Sequence, residues 1–290
     1  MTKEDITACF IGGDRRQRFA AEDISNYIKV NTTGKVFDGI TGTNINHFEN
    51  PYKAVYGADV IILPLPAALS ESILPFSELV KQINMQNTSP MVVGGKISPY
   101  LKGLLEDKKM TYIDYFEDEC FTVKNAYLTA EGAIQLAMEA TEKSLKDSKF
   151  SIMGYGRIGR ALGSLLKAFN ANVTVWARKD EALALASENG LHTNKLGINT
   201  DISDLSQNYD IIFNTVPERI IPNEVLLAMS PKTVLIELAS LPGGFDPDIA
   251  AQCEIKVVDG RGLPARYAPK SAGKILSDTI IQHLKQEDIL

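Results

Sequence analysis

Ser151-Ile152-Met153-Gly154-Tyr155-Gly156-Arg157-Ile158-Gly159-Arg160 joins an apolar, strand-like stretch to a helical one. That context makes G-x-G-x-x-G a dinucleotide-binding turn. Gly154 allows the tight turn, Gly156 lets the backbone approach a pyrophosphate, and Gly159 lets helix and strand pack closely; the phosphates are received by N–H groups at the helix N-terminus. Tyr155, Arg157 and Ile158 complete the turn. A second strand, Asn172-Val173-Thr174-Val175-Trp176, follows at βαβ distance. After it, where an NAD site carries an acid for the ribose 2′-OH, stand Ala177, Arg178 and Lys179. Loss of the acid with gain of cations is what a 2′-phosphate requires, so the expected cofactor is NADP(H), with NAD(H) as the alternative.

Downstream, Ile211-Ile212-Phe213-Asn214, Val234 to Leu238 and Ile255 to Val258, with a short edge segment near Leu191, supply the strand count of a full doubly wound domain. Upstream, the apolar runs Thr7–Ile11, Val60–Pro64, Pro90–Gly95 and Met110–Asp114 alternate with helix-sized segments. Such alternation predicts a parallel sheet covered on both faces. An uninterrupted helical pattern from Thr129, read as its N-cap, to about Asp147 lies between the two units. The expected fold class is therefore α/β with two doubly wound domains: a flavodoxin- or Rossmann-like substrate domain (1–128) and an NAD(P)-binding Rossmann domain (148–269). An interdomain helix (129–147) joins them, and a C-terminal helix (270–290) returns to the first.

Bulk properties narrow the function classes. With 290 residues, 44% of them hydrophobic, the chain can bury two cores. No apolar run approaches the roughly 20 residues needed to span a bilayer, and Met1–Asp5 lacks the features of a signal peptide. The expected location is the cytoplasm. A net charge of −6 with mixed signs gives no basic stripe for nucleic acid. Cys9, Cys120 and Cys253 lie far apart without C-x-x-C spacing, so they read as reduced core residues and no metal site is expected. His47, His192 and His283 stand apart from every glycine-rich turn and read as surface or core residues.

Further strand ends of the second domain carry small or polar residues: Asn214-Thr215-Val216-Pro217, Glu237-Leu238-Ala239 running on to Gly244, and Gly262-Leu263-Pro264. In a dinucleotide domain such edges face the nicotinamide half, so Asn214, Thr215, Val216, Pro217, Leu238, Ala239, Leu263 and Pro264 join the candidate cofactor contacts. Arg15 and Arg16 follow Gly12-Gly13-Asp14 at a helix N-terminus, where cations are unfavourable unless an anion is nearby. With Asp14, Lys96, Arg266 and Lys270 they suggest a cleft that grips an acidic ligand, a dicarboxylate held from two sides. Glu131, read as lying in the first turn of the middle helix, is explained equally well by the helix dipole.

Taken together, Ile11-Gly12-Gly13-Asp14-Arg15-Arg16-Gln17, Thr129-Ala130-Glu131-Gly132, the glycine turn, Leu238 to Gly244, Gly262-Leu263-Pro264 and Ala268-Pro269-Lys270-Ser271-Ala272-Gly273 resemble the A-subunit family of dipicolinate synthases from spore-forming bacteria. The opening Gly-Gly-Asp and closing Ala-Pro-Lys motifs are the particular ones, and the stretch 31–55 matches no motif. The resemblance implies oxidation of dihydrodipicolinate to dipicolinate with NADP⁺ during sporulation, in a mother-cell cytoplasm, with a flavoprotein-like B chain as partner. It leaves homo-oligomerisation open. Because oxidation creates an aromatic ring, the protein's main task is alignment of a ring carbon with the nicotinamide, and Glu131 and Lys270 are the candidates for accepting the ring proton. Two other readings stand beside it: a cofactor-binding or regulatory component whose chemistry resides in the partner, and a 2-hydroxy-acid or alanine dehydrogenase relative.

Overall fold

The computed structural model describes residues 6–67, 76–84, 89–197 and 204–290. The opening Met1–Asp5 lies outside them. The chain divides into two compact units, one of residues 1–125 and 264–290 and one of residues 126–263. The divisions fall at 125/126 and 263/264, not at the expected 128/129 and 269/270.

In the first unit the strands are β1 (Thr7–Ile11), β2 (Lys29–Thr33), β3 (Ile45–His47), β4 (Val60–Ile62), β5 (Met91–Gly94) and β6 (Tyr112–Asp114). All are parallel, in the order β3-β2-β1-β4-β5-β6. Its helices are α1 (Arg15–Ile24), α2 (Pro51–Val55), α3 (Phe76–Asn84), α4 (Pro99–Asp107) and the first residues of α5 (Glu119–Ala140). In the second unit β7 (Lys149–Met153), β8 (Asn172–Ala177), β9 (His192–Lys195), β10 (Ile211–Asn214), β11 (Val234–Glu237) and β12 (Lys256–Asp259) are again all parallel, in the order β12-β11-β10-β7-β8-β9. The helices α6 (Arg157–Ala168), α7 (Asp180–Glu188), α8 (Asp204–Gln207), α9 (Asn223–Leu227), α10 (Pro247–Gln252), α11 (Leu263–Tyr267) and α12 (Pro269–Gln286) follow in the chain. Each sheet has the doubly wound order 3-2-1-4-5-6, so the first unit is Rossmann-like and not flavodoxin-like.

Burial explains the layering. Along β1 alternate residues enter different clusters, Ala8 and Phe10 with Ile24 and Ile280, Cys9 and Ile11 with Leu79 and Leu101. A strand buried on both faces must be covered on both, as parallel sheets require. Helix α12 supplies part of one cover by packing on α1. Its Gly273 makes this possible, because a Cβ there would stand 2.5 Å from Phe19 Cβ and 2.8 Å from the Arg16 carbonyl.

Three expectations need correction. The middle helix starts at Glu119 and ends at Ala140, so Thr129 is buried within it and is not its cap. Asp118 serves instead, its Oδ1 accepting from the Phe121 N–H at 3.1 Å. Strands β2 and β3 fall where the apolar pattern predicts none, because buried Asn31, Thr32 and Thr33 make β2 read as polar. Their polar groups are bonded internally: Asn31 Nδ2 donates to the Ala54 carbonyl at 3.0 Å, and Thr32 Oγ1 lies 3.0 Å from His47 Nδ1. Finally, the cysteines are not all core residues: Cys9 is buried, its thiol pushed up by burial, and Cys253 packs partly buried against the second core, while Cys120 is exposed. Among the described residues no helix is long and apolar enough to cross a membrane.

Candidate functional site

The glycine turn between β7 and α6 has the geometry its spacing demands. Gly154 sits at φ +91°, and its N–H donates to the Trp176 carbonyl at 2.8 Å. A Cβ on Gly154 would lie 2.6 Å from Thr215 Oγ1, and one on Gly159 would lie 2.3 Å from the Gly154 carbonyl oxygen. Both positions therefore require glycine. Gly156 differs: a Cβ there would meet nothing within 4 Å, and as the residue preceding α6 it offers no side chain to cap the helix. An uncapped helix start facing open space suits an anion, because the first-turn N–H groups and the helix dipole both favour negative charge.

Loops from β10 and β11 close around this turn. Thr215 donates to the Met153 carbonyl from its N (3.0 Å) and its Oγ1 (2.8 Å). Asn214, fully buried, brackets Val216 by accepting from its N–H at 3.1 Å and donating to its carbonyl at 2.9 Å. The same amide nitrogen donates to Glu237 Oε1 at 2.7 Å. Glu237, which opens the strand-end stretch but is not among its candidate contacts, also accepts from the N–H groups of Ala239 and Gly244, each at 2.9 Å. Asn214 through Pro217 and Leu238 through Ala239 are thus held together at one strand-end edge. Tyr155 is buried, its ring over Gly163 and its hydroxyl accepting from Asn189 Nδ2 at 3.3 Å, so it contributes backbone to the turn. Leu263 is buried where a Cβ on Gly132 of α5 would come within 2.9 Å of it, and Pro264 is buried as well.

At the end of β8, Ala177 is buried while Arg178 and Lys179 are exposed. Arg178 is engaged by Glu218, with Nη1 to Oε2 at 2.9 Å and Nη2 to Oε1 at 3.3 Å. Trp176, next to them in sequence, is buried in the core with Met153 and Leu205, so its indole is shielded from any ligand at the edge.

The first unit has the same topology and a different helix start. Asp14 caps α1, accepting from Arg16 N at 2.9 Å, and Gln17 Oε1 accepts from Asp14 N at 3.1 Å to complete a capping box. Arg16 is buried and folds back onto that carboxylate, with Nε at 3.0 Å from Oδ1 and Nη2 at 2.6 Å from Oδ2; Nη2 also donates to the Leu65 carbonyl at 3.1 Å. Asp14 is therefore the anion that faces Arg16. The Asp14 carboxylate thus caps the α1 start, where α6 has no side-chain cap. Arg15 remains exposed beside it. At the end of β5, exposed Lys96 stands 4.7 Å from the Phe116 ring centroid, on a bend fixed by Asp114, which accepts from the N–H groups of Lys96 (2.9 Å), Ile97 (2.8 Å) and Phe116 (3.0 Å). Arg266 lies near the Tyr267 ring in α11, and Lys270 is exposed in the first turn of α12. Glu131 is exposed in the middle of α5, where the dipole argument for a first-turn acid does not apply. Among the described residues no group of three or more His, Cys, Asp or Glu is placed to hold a metal.

Comparison with known proteins matches the two parts of the chain to two different families. Residues 7–116 match the N-terminal domain family of the dipicolinate synthase A-subunit, and residues 122–240 match the NAD-binding domain family of D-isomer specific 2-hydroxyacid dehydrogenases. Over 95% of its length, and 95% of the relative's, the chain is 32% identical to the dipicolinate synthase A-subunit of Bacillus subtilis (strain 168). The chain belongs to the dipicolinate synthase A-subunit family. Crystal structures of family members superpose over nearly all of it: the protein from Bacillus halodurans with a TM-score of 0.84 at 25% identity, covering 97% of this chain and 99% of that one, and the one from Bacillus subtilis with 0.82 at 26%, covering 99% and 98%. A transhydrogenase from Sinorhizobium meliloti shares the fold, with a TM-score of 0.68 at 14% identity and coverage of 97% and 94%. The second unit of this family member is a nicotinamide-dinucleotide domain, and the open helix start at Gly156 fits that cofactor.

Proposed function

We propose that the chain oxidises dihydrodipicolinate to dipicolinate with NADP⁺ as acceptor, releasing NADPH and a proton. One observation carries the cofactor half of this reading: of two helix starts in identical topological positions, Asp14 caps one and Gly156 leaves the other open. When bound, the oxidised nicotinamide supplies the hydride acceptor. The residues of the turn receive the pyrophosphate, and the loops at Asn214–Pro217 and Leu238–Ala239 orient the nicotinamide half. Arg178, released from Glu218, and Lys179 take the 2′-phosphate, with Ala177 leaving room where an acid would repel it. Arg15, Lys96 and Arg266 bind the ring carboxylates, while Arg16 holds Asp14 in place. Glu131, or alternatively Lys270 in its uncharged form, is the group proposed to accept the one proton released. The family's designation as an A-subunit implies a second component, and we infer that a flavoprotein-like B chain completes the activity in the cytoplasm of a sporulating cell.

A 2-hydroxy-acid dehydrogenase reading fits less well, because His192 opens β9 at the end opposite the strand-end loops and His47 and His283 belong to the first unit. The deciding assay gives the purified chain, with and without the B chain, freshly made dihydrodipicolinate and NADP⁺ or NAD⁺, following NAD(P)H and dipicolinate optically. NADP-dependent dipicolinate formation by the chain is expected. Formation that is independent of this chain, or that persists when Gly156 is blocked, would move the chemistry to the partner. Replacing Ala177 with Asp and Arg178 with Ala together should reverse the preference from NADPH to NADH.

A further inference from the structure

Glu237 ends β11 and is almost entirely removed from solvent, with 8% exposure, yet its carboxylate is held by donors from the loops of the cofactor edge. Oε1 accepts from Asn214 Nδ2 at 2.7 Å and from Ala239 N at 2.9 Å; Oε2 accepts from Gly244 N at 2.9 Å. The chain thus leaves the strand, runs through Ser240, Leu241, Pro242 and Gly243, and returns with both ends of the loop fastened to one side chain. Leu241 at its apex is 78% exposed. The loop also wraps its anchor closely: a Cβ on Gly243, at φ +82°, would lie 2.9 Å from Glu237 Oε2, and one on Gly244 would lie 2.4 Å from Asn214 Nδ2. On its other side Asn214 grips both polar groups of the Val216 backbone, and Val216 lies against Gly154 of the phosphate turn.

We propose that Glu237 is a positioning residue for the dinucleotide: its carboxylate fixes, directly and through Asn214, the two loops that receive the nicotinamide half. The inference rests on the reading of this edge as the cofactor site. Hydrogen-bond direction makes it specific. Asn214 has committed its oxygen to the Val216 N–H, so it can only donate to residue 237, and the two backbone groups are donors as well. The site needs an acceptor-only side chain of this length. Glutamine turns one of its two acceptors into a donor facing a donor, which leaves a buried group unsatisfied and frees one end of a loop. Aspartate keeps both acceptors and falls short by one methylene.

The test measures NADPH and NADH affinity by calorimetric titration of the full chain, in wild type, Glu237→Gln, Glu237→Asp and Ile212→Val. Ile212 is a fully buried core residue of the same unit, outside the loops, so its variant controls for lost stability. Glu237→Gln should raise the NADPH Kd by about tenfold or more, and Glu237→Asp by a smaller factor, whereas Ile212→Val should lower Tm and leave Kd unchanged. The aspartate variant carries the test if the glutamine variant does not fold. Loss of Tm with wild-type NADPH affinity in both Glu237 variants would overturn the proposal and leave the site reading standing. Failure of the wild type to bind either dinucleotide would instead overturn the site reading, and the proposal with it.

Discussion

Replacing Asp14 with Ala removes a helix cap and, in the same step, the partner of a buried guanidinium. The cap is worth about 1 kcal/mol. The larger cost comes from Arg16, whose side chain is 9% exposed and would be left with its bond to the Leu65 carbonyl. Breaking a buried pair costs about 3–5 kcal/mol, and because Asp14 is itself 36% exposed the low end applies, giving a total of roughly 4 kcal/mol. Arg16→Met is the opposite case, because Asp14 stays bonded to the backbone N–H of residue 16 and turns its carboxylate to water, for a loss of about 1 kcal/mol. The double variant should then be more stable than Asp14→Ala alone, since no cation is stranded. Urea unfolding followed by far-UV circular dichroism reads these differences; the sole tryptophan, Trp176, lies in the second unit and does not report on the first. A double variant no more stable than Asp14→Ala, or an Arg16→Met variant that keeps full stability but loses dihydrodipicolinate binding, would refute the structural role of Arg16 and return it to the substrate.

Other consequences follow from single pairs. Glu218→Gln should tighten NADPH by up to about fivefold with NADH unchanged, because an exposed pair worth about 0.2–1 kcal/mol no longer competes for Arg178; equal tightening of both dinucleotides would remove Arg178 from the 2′-phosphate. Burial alone would raise the Asp210 carboxyl, but Lys143 Nζ at 2.7 Å and the Lys149 N–H at 2.9 Å outweigh it and hold its pKa below the ordinary value. Its contribution is therefore present above the unfolded pKa of about 3.9 and lost as pH falls through the lower folded value. Asp210→Asn should lower Tm at neutral pH, and the difference from wild type should shrink as pH falls below the unfolded pKa of about 3.9 and vanish once the folded carboxyl is protonated; a difference that does not shrink in acid would contradict the pairing.

The elements legible in the sequence are those whose side chains and backbone ask for the same thing. The inner strands of the second sheet announce themselves as apolar runs ending at small residues, and the glycine turn is fixed by close contacts at Gly154 and Gly159 that no other residue satisfies. What escapes is polar and buried. Strand β2 hides behind Asn31, Thr32 and Thr33, whose hydrogen bonds exist only after α2 and β3 are in place. Glu237 looks like one acid ending an apolar strand until the fold brings Asn214, Ala239 and Gly244 to it. Arg16 is a related case: a cation at a helix start reads as a demand for an anion, and an anion stands two residues earlier in the chain. The start of α5 is missed because Thr129 is a good cap by composition, whereas the helix begins at Glu119, behind an Asp118 that accepts from the N–H of buried Phe121.

The contrast between the two helix starts can be inverted in one substitution. Gly156 has φ −80° and ψ −157°, an extended conformation open to any residue and close to that of Asp14 at −125° and −172°, and a Cβ there meets nothing within 4 Å. Gly156→Asp should therefore fold, with a gain of about 0.3 kcal/mol from the new cap. Its carboxylate would accept from the same first-turn N–H groups that a pyrophosphate uses, and it would do so without the neutralising arginine, because the residue two positions on is Ile158 where α1 has Arg16. Loss of two charge-assisted bonds, roughly 3 kcal/mol, predicts weakening of NADPH by about 100-fold or more. Gly159→Ala sets the opposite sign: its Cβ would press on a backbone oxygen at 2.3 Å, so stability should fall before affinity is at issue. Melting temperature and NADPH titration on the two variants separate the roles. If Gly156→Asp binds NADPH as wild type does, the open helix start is not where the phosphates go, and the difference between the two helix starts carries no information about the nucleotide.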